Sequence, residues 1–186
     1  MTNEKKLIPL TEHHQLPVAS NQTKEYMKLF FVFVMIILVS VLIYNLWDAK
    51  NDLSNVDRFI SIFMGVFFIT FAVFKLINLK SFVDGFMMYD IFAKKSKPYA
   101  FLYPFIQLFI GIAMFAIPTV PAIQLLAAVI SFVALVGVYK KVKAKEKIHC
   151  ACLGNVIKMP LSTVSAFEDG IMFVLSAYMF VEMIRK

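Results

Sequence analysis

Long apolar segments separated by short charged segments dominate the chain. Residues 29–47 contain no charged side chain. Residues 59–74 are also uncharged. The segment continues to residue 79 if Lys75 extends its ammonium group to the membrane surface. Each segment is close to the roughly 20 apolar residues that a helix needs to cross a bilayer. The pattern therefore predicts two membrane spans, at residues 29–47 and 59–79.

A third apolar segment is twice as long as one span requires. Residues 99–139 are 41 positions without a charge, and Pro118 and Pro121 lie near the centre of this segment. Because proline breaks helices, we expect a tight hairpin between two spans, at residues 99–117 and 121–139.

The two ends of the chain differ in character. Residues 161–184 are apolar apart from three acids and predict a fifth span. Residues 1–28 are polar and contain no signal peptide pattern, so they predict a flexible N-terminal region. Between spans two and three, apolar residues at helical spacing predict a short helix at the membrane interface within residues 80–97. The membrane domain is thus predicted to occupy residues 29–186.

The composition supports a membrane protein. Hydrophobic residues make up 60% of the chain and charged residues 17%, against about 45–50% and about 25% in soluble domains. The mean hydropathy is +0.76. A small soluble domain could not bury this much apolar surface. These values exclude a soluble enzyme, a disordered chain and a disulfide-stapled secreted module, and predict an all-α polytopic membrane helical bundle.

The basic residues are distributed unevenly between the two sides of the predicted spans. Lysine and arginine number 15 before span one and in residues 75–98 and 140–158, but only 4 in the other connections and the C-terminal tail. Because basic loops stay in the cytoplasm, the counts predict a multi-pass protein of the cytoplasmic (inner) membrane. Its N-terminus would be cytoplasmic and its C-terminus outside. The net charge of +7 then reflects these loops, and no nucleic-acid partner is expected.

A cysteine pair provides the most informative motif. Cys150 and Cys152 follow His149, and Lys145 and Lys147 precede them. Two thiols at this spacing can bind a soft ion such as Cu(I), Hg(II) or Zn(II). They can also cycle between dithiol and disulfide, which the nearby positive charges would favour by stabilising a thiolate. The alternative is that both are small buried residues without chemistry.

Two carboxylates interrupt the fifth predicted span. Glu168 and Asp169 lie about seven residues from its start, where an exposed charge is costly, so we expect them to face protein or water, to be protonated, or to find partners. Met172 and Met179 share the same helical stripe. The stripe could form a cation or proton path with soft methionine ligands, or it could be a packing seam in which methionine fills gaps.

A lysine at the end of span two has several possible partners. Lys75 could pair with Asp84 or Asp90 in the following loop, or across the bundle with one of the two acids of span five. It could equally extend to the membrane surface without a partner. Gln107 in span three is expected to line the interior of the bundle.

The chain resembles a known family over roughly residues 59–184. The resemblance rests on the motif CACLG at residues 150–154, the acids at 168–169, Lys75, and the pair Tyr89–Asp90. These features resemble the MauE/DoxX-type redox-associated membrane proteins, and most closely a CACLG-motif subset that is often linked to heavy-metal-associated domains. The resemblance implies a four-helix core, to which this chain adds one N-terminal transmembrane helix. Gln107 stands where the family leads one to expect an acid.

The resemblance also implies a function. MauE-like proteins are associated with the maturation of partners that need disulfides, such as the methylamine dehydrogenase light subunit, and DoxX-like relatives with thiol and sulfur oxidation. We therefore expect thiol–disulfide redox or partner maturation, in which Cys150 and Cys152 exchange electrons and Glu168 or Asp169 manages protons. Further candidates for the site are Lys75, Asp84, Tyr89 and Asp90.

Two other hypotheses stay open. In the first, the protein binds and transports a soft heavy metal (Cu, Hg or Zn) through His149, Cys150 and Cys152, with Met172 and Met179 as weaker ligands. In the second, the dithiol is structural and the protein is an assembly partner. Beyond the lipid bilayer, the expected partners are a thioredoxin-like protein or a metal chaperone. The sequence favours an accessory or transport role over that of a stand-alone enzyme. The cofactor that the metal-binding hypothesis would require is a soft metal ion, and the other hypotheses require none.

Overall fold

In a computed structural model, which describes residues 19–46, 54–143 and 161–185, these residues are almost entirely helical. The described part contains no strand, and the predicted all-α class is confirmed. Its helices are α1 (Ala19–Leu46), α2 (Asn55–Ile77), α3 (Leu79–Tyr89), α4 (Lys97–Ala116), α5 (Pro121–Lys143) and α6 (Leu161–Arg185).

Four of the described helices are long and apolar enough to cross a membrane. They are α1, α2, α4 and α5, and they overlap the first four predicted spans. The prediction of a polytopic membrane protein is thereby confirmed. The helix α6 overlaps the fifth predicted span, and its crossing of the membrane stays a prediction. Most of the predicted N-terminal region, residues 1–18, lies outside the described residues.

Polar caps and prolines set the helix boundaries. The Ser54 hydroxyl accepts the Asp57 amide at 3.2 Å and begins α2. Asn78 ends α2 and caps α3 through the Ser81 amide, so α2 stops two residues before the end of the predicted span. The hairpin predicted from the two central prolines is present, since α4 ends at Ala116 and α5 begins at Pro121.

The bundle is built mainly from two helix pairs, α2 with α4 and α5 with α6. Among the described elements, α1 contacts only α2. The short helix α3 packs against α2, α4 and α5. Its Phe82 and Phe86 are fully buried in a cluster that includes Tyr103 of α4 and Val138 of α5. This second core closes the end of the bundle at which α2 ends and α4 begins.

The α2–α4 pair crosses at two glycines. Gly65 of α2 and Gly111 of α4 face each other, and a Cβ atom at position 111 would lie 3.1 Å from the Gly65 carbonyl oxygen. Small residues allow helix backbones in a membrane to approach closely. This crossing fixes the positions of the polar side chains that α2 and α4 carry farther along.

Candidate functional site

A buried lysine lies at the centre of the polar site. Lys75, in the last turn of α2, is only 4% exposed. Its ammonium group donates a hydrogen bond of 2.5 Å to Gln107 Oε1 on α4. Two aromatic rings lie beside it, with the Lys75 Nζ atom 5.2 Å from the ring centroid of Tyr103 and 5.7 Å from that of Phe82. The ammonium is therefore held by an amide oxygen and by the negative faces of aromatic rings.

Two carboxylates add negative charge to this site. Asp169 of α6 interacts electrostatically with both Lys75 and Asp90. The three residues come from α2, α6 and the turn after α3, so the packing of the bundle brings them together. We refer to Lys75, Gln107, Asp90 and Asp169 as the Lys75 cluster.

Asp90 has an asymmetric environment. The residue is fully buried, and its Oδ1 atom accepts the amides of Phe92 at 2.9 Å and Ala93 at 2.8 Å, which closes the turn after α3. Its Oδ2 atom is buried and has no hydrogen-bond partner among the described residues. Burial raises the pKa of Asp90 above its ordinary value of 3.8, and the two backbone hydrogen bonds oppose that rise.

The other candidates near Lys75 have different locations. Asp84 is exposed on α3, unlike the buried Asp90 six residues later. Tyr89 is the last residue of α3, and its side chain lies outside the described residues. Glu168 is buried next to Asp169 and has an interaction of its own. Of the acids considered for Lys75, the structure thus places Asp169 within electrostatic reach of the lysine.

The two methionines of α6 lie in the main apolar core. Met172 and Met179 are buried in the main apolar cluster, whose other members come from α1, α2, α4 and α5. On the same helix, Ser176 is fully buried, and its hydroxyl has no hydrogen-bond partner in the described part of the chain. Among the described residues, no three His, Cys, Asp or Glu side chains group closely enough to hold a metal ion. The environment of both methionines is that of packing residues.

The cysteine motif lies outside the described residues. His149, Cys150 and Cys152 belong to residues 144–160, which connect α5 to α6 in the sequence. Their roles as redox groups or metal ligands stay predictions. The two helices that flank this segment both reach the surroundings of Lys75. Val138 of α5 packs in the cluster that contains Tyr103, and Asp169 of α6 interacts electrostatically with Lys75.

Sequence reasoning undervalued two features. Gln107 was expected only to line the interior, whereas its amide oxygen is the direct acceptor for Lys75. At the opposite end of the bundle, Asp57 is buried and accepts a hydrogen bond of 3.5 Å from the Tyr178 hydroxyl on α6. An acid in the first turn of an apolar helix was the signal that could have identified this second polar contact.

Comparison with known proteins identifies the family. The family model described as "Methylamine utilisation protein MauE" matches residues 53–182, which is more than half of the chain. The chain therefore belongs to the MauE family. The searches of curated proteins and of solved structures found no match. The matched range contains α2 to α5 and all but the last three residues of α6, whereas α1 precedes it. The family indicates a membrane protein that works in a redox or maturation context.

Proposed function

We propose that this MauE-family protein exchanges disulfides with a partner protein through Cys150 and Cys152. In each exchange, a thiolate of one protein attacks the disulfide of the other and forms a mixed disulfide, which a second thiolate then resolves. One pair is oxidised and the other is reduced, so two electrons and two protons change sides. The reaction class is thiol–disulfide exchange in the maturation of the partner, and a thioredoxin-like protein is the expected class of exchange partner.

The observation that carries the proposal is the electrostatic interaction of Asp169 with the buried Lys75, because Asp169 lies on α6, one of the two helices that flank the cysteine segment in the sequence. Thiolate formation releases protons, and a carboxylate held next to a buried ammonium can accept or return them. Lys145 and Lys147, close in sequence to the thiols, favour the thiolate form. Asp169 therefore supplies a proton-accepting group, and the lysines support the nucleophile.

The side of the membrane constrains the chemistry. The excess of lysine in residues 75–98 and 140–158 supports a cytoplasmic location for both the Lys75 cluster and the cysteines, in the inner membrane. Disulfides do not persist in the reducing cytosol. The disulfide of this protein is accordingly proposed to be transient and formed only during turnover.

Trapping of the mixed disulfide tests the proposal. Purified full-length protein is incubated with an oxidised thioredoxin-like protein, and free thiols are alkylated before and after reduction. We expect the Cys150→Ser or the Cys152→Ser variant to accumulate a mixed disulfide that dithiothreitol releases, because the resolving thiol is missing. We also expect Asp169→Asn to slow exchange, whereas Asp84→Asn, which changes an exposed acid, should leave the rate unchanged.

Two results would contradict the proposal. One is a failure of both single-cysteine variants to form a mixed disulfide while their thiols remain open to alkylation. The other is a soft ion at about one per chain in metal analysis that is lost in Cys150→Ser. The second result would support the alternative function of soft-metal binding and transport through His149 and the two cysteines.

A further inference from the structure

An apolar groove runs between α1 and α2. It has a volume of about 300 Å³, and its described lining consists of side chains within residues 31–39 of α1 and 66–74 of α2. Two of them, Phe31 and Met35, are 64% and 43% exposed, so the groove is open at the surface of the bundle. Both helices are long and apolar enough to span a membrane. The groove therefore opens toward the lipid of the bilayer.

The lining of this α1–α2 groove favours a hydrocarbon occupant. Thr70 is the only polar side chain among the described lining residues, and its hydroxyl already donates a hydrogen bond of 2.7 Å to the Val66 carbonyl oxygen. A polar occupant would have its own groups left without hydrogen bonds in the membrane interior, which is strongly unfavourable. The chemistry of the groove thus fits the methylene groups of an acyl chain.

The length of the groove corresponds to one leaflet of a bilayer. Its lining on α1 extends from Phe31 to Val39, and these eight residue steps span ~12 Å at the helical rise of about 1.5 Å per residue. The lining on α2, residues 66–74, covers the same length. Half of the hydrocarbon core of a bilayer is ~15 Å thick. A single acyl chain that enters from one side of the membrane matches this length.

A lysine lies at one end of the groove. Lys28 is exposed on α1, about one helical turn before Phe31. It shares a helical face with the lining residues Val32, Met35 and Val39, which follow it at spacings of four, seven and eleven residues. Lysines at the membrane surface attract anionic lipids. An ammonium group has three donors, so Lys28 can contact a phosphate in addition to its interaction within the protein.

We propose that the α1–α2 groove binds one acyl chain of an anionic phospholipid whose phosphate contacts Lys28. The chain fills the groove along both helices. The lipid thereby helps to hold α1, which precedes the range matched by the family model, against α2. The proposal goes beyond disulfide exchange, because it involves no cysteine and stands or fails independently of the thiol chemistry.

Photolabelling of the wild-type full-length protein tests the proposal without any variant. The protein in nanodiscs receives phosphatidylglycerol, which is anionic, or phosphatidylcholine, which is zwitterionic, each with the same photoreactive group on the acyl chain. We expect phosphatidylglycerol to label residues 31–39 and 66–74 preferentially, and about five-fold more strongly than phosphatidylcholine does. Labelling spread evenly over the exposed faces of α4 and α5, or equal labelling of the groove by both lipids, would overturn the proposal.

Matched variants separate the chain from the headgroup. Val39→Phe fills the groove and should abolish retention of phosphatidylglycerol in native mass spectrometry. Val41→Phe, which changes a 41% exposed side chain on the opposite face of α1, should not. Lys28→Gln should weaken phosphatidylglycerol binding about five-fold, whereas Lys140→Gln, at an exposed lysine of α5, should leave it unchanged.

Circular dichroism of each variant keeps a failure to fold apart from a loss of lipid, and photolabelling of the wild-type protein decides the question if Val39→Phe does not fold. Equal lipid retention by folded Val39→Phe and Val41→Phe would overturn the proposal. A lipid-free dimer in mild detergent that only Val39→Phe dissociates would also overturn it, because a second copy of the chain would then occupy the groove.

Discussion

The glycine crossing of α2 and α4 provides a prediction whose size follows from the structure. A Cβ atom added at Gly111 would lie 2.7 Å from Ile69 Cγ1 and 3.0 Å from the Ile69 backbone nitrogen. At Gly65, it would lie 2.7 Å from the Phe115 ring and 3.2 Å from a backbone oxygen of α4. A ring can move aside, but a backbone atom can only move with its helix. Gly111→Ala should therefore be the more damaging change.

The magnitude combines two opposing effects. Overpacking costs about 1–3 kcal/mol, while replacing glycine with alanine within a helix gains about 0.5–1 kcal/mol. Gly111→Ala should lower the free energy of unfolding by up to about 2.5 kcal/mol, which corresponds to a decrease in Tm of up to about 10 °C for a chain of this size. Because the two helices would separate, the hydrogen bond between Lys75 and Gln107 should also weaken.

A third glycine is the matched control. Gly170 of α6 is also within a helix, and an added Cβ atom would meet nothing within 4 Å. Gly170→Ala should therefore leave Tm unchanged or raise it slightly. The three alanine variants can be compared by thermal unfolding in the same detergent, with denaturant titration as a second measurement. If Gly111→Ala were as well tolerated as Gly170→Ala, the close approach of α2 and α4 would be refuted.

Three further predictions concern the polar contacts. Gln107→Leu should lower the free energy of unfolding by about 1–3 kcal/mol, because the buried Lys75 ammonium loses its acceptor. In denaturant titration, Gln107→Glu should retain most of the stability. An equal loss in both variants would contradict this prediction. Folding raises the pKa of Asp90, so the protonated side chain favours the folded state. This contribution to stability is complete below pH 3.8, the ordinary pKa, and is lost as the pH rises through the pKa of the folded protein. Asp90→Asn should thus reduce the fall of Tm with rising pH above about 4, and an unaltered slope would exclude this role. Arg58→Ala should weaken the packing of α1 on α2 by about 0.5–2 kcal/mol, because the guanidinium lies 4.4 Å from the Tyr44 ring centroid. Cysteine cross-linking of the two helices should fall in Arg58→Ala and not in Arg58→Lys. Unchanged cross-linking would argue against this contact.

The helices could be predicted from the sequence because their cause is local. Crossing a bilayer requires an uninterrupted apolar segment, and charges, prolines and capping residues mark the ends of such segments directly. The hairpin between α4 and α5 could be predicted for this reason, and so could the short helix α3, from the helical spacing of Phe82 and Phe86. The end of α2 was harder to predict, because Asn78 ends one helix and caps the next within a continuous apolar pattern.

The candidate site was predicted only in part. Lys75 and Asp169 each stood out as a charge within an apolar segment, but the sequence allowed several pairings and gave no reason to choose among them. Asp84 and Asp90 are similar acids in the same region, yet one is exposed and the other is fully buried. The difference arises because Asp90 closes the turn by which α3 packs back onto the bundle.

The sequence by itself determined that this is an all-α membrane protein and where its apolar helices lie, because the bilayer acts on each segment separately. The tertiary structure decided which polar groups meet. No GxxxG motif within one helix announced the crossing of α2 and α4, because Gly65 lies on one helix and Gly111 on the other. The rotation and depth of each helix depend on all its neighbours at once, and they bring Lys75 and Gln107 into a buried contact with Asp169 in electrostatic reach of the lysine.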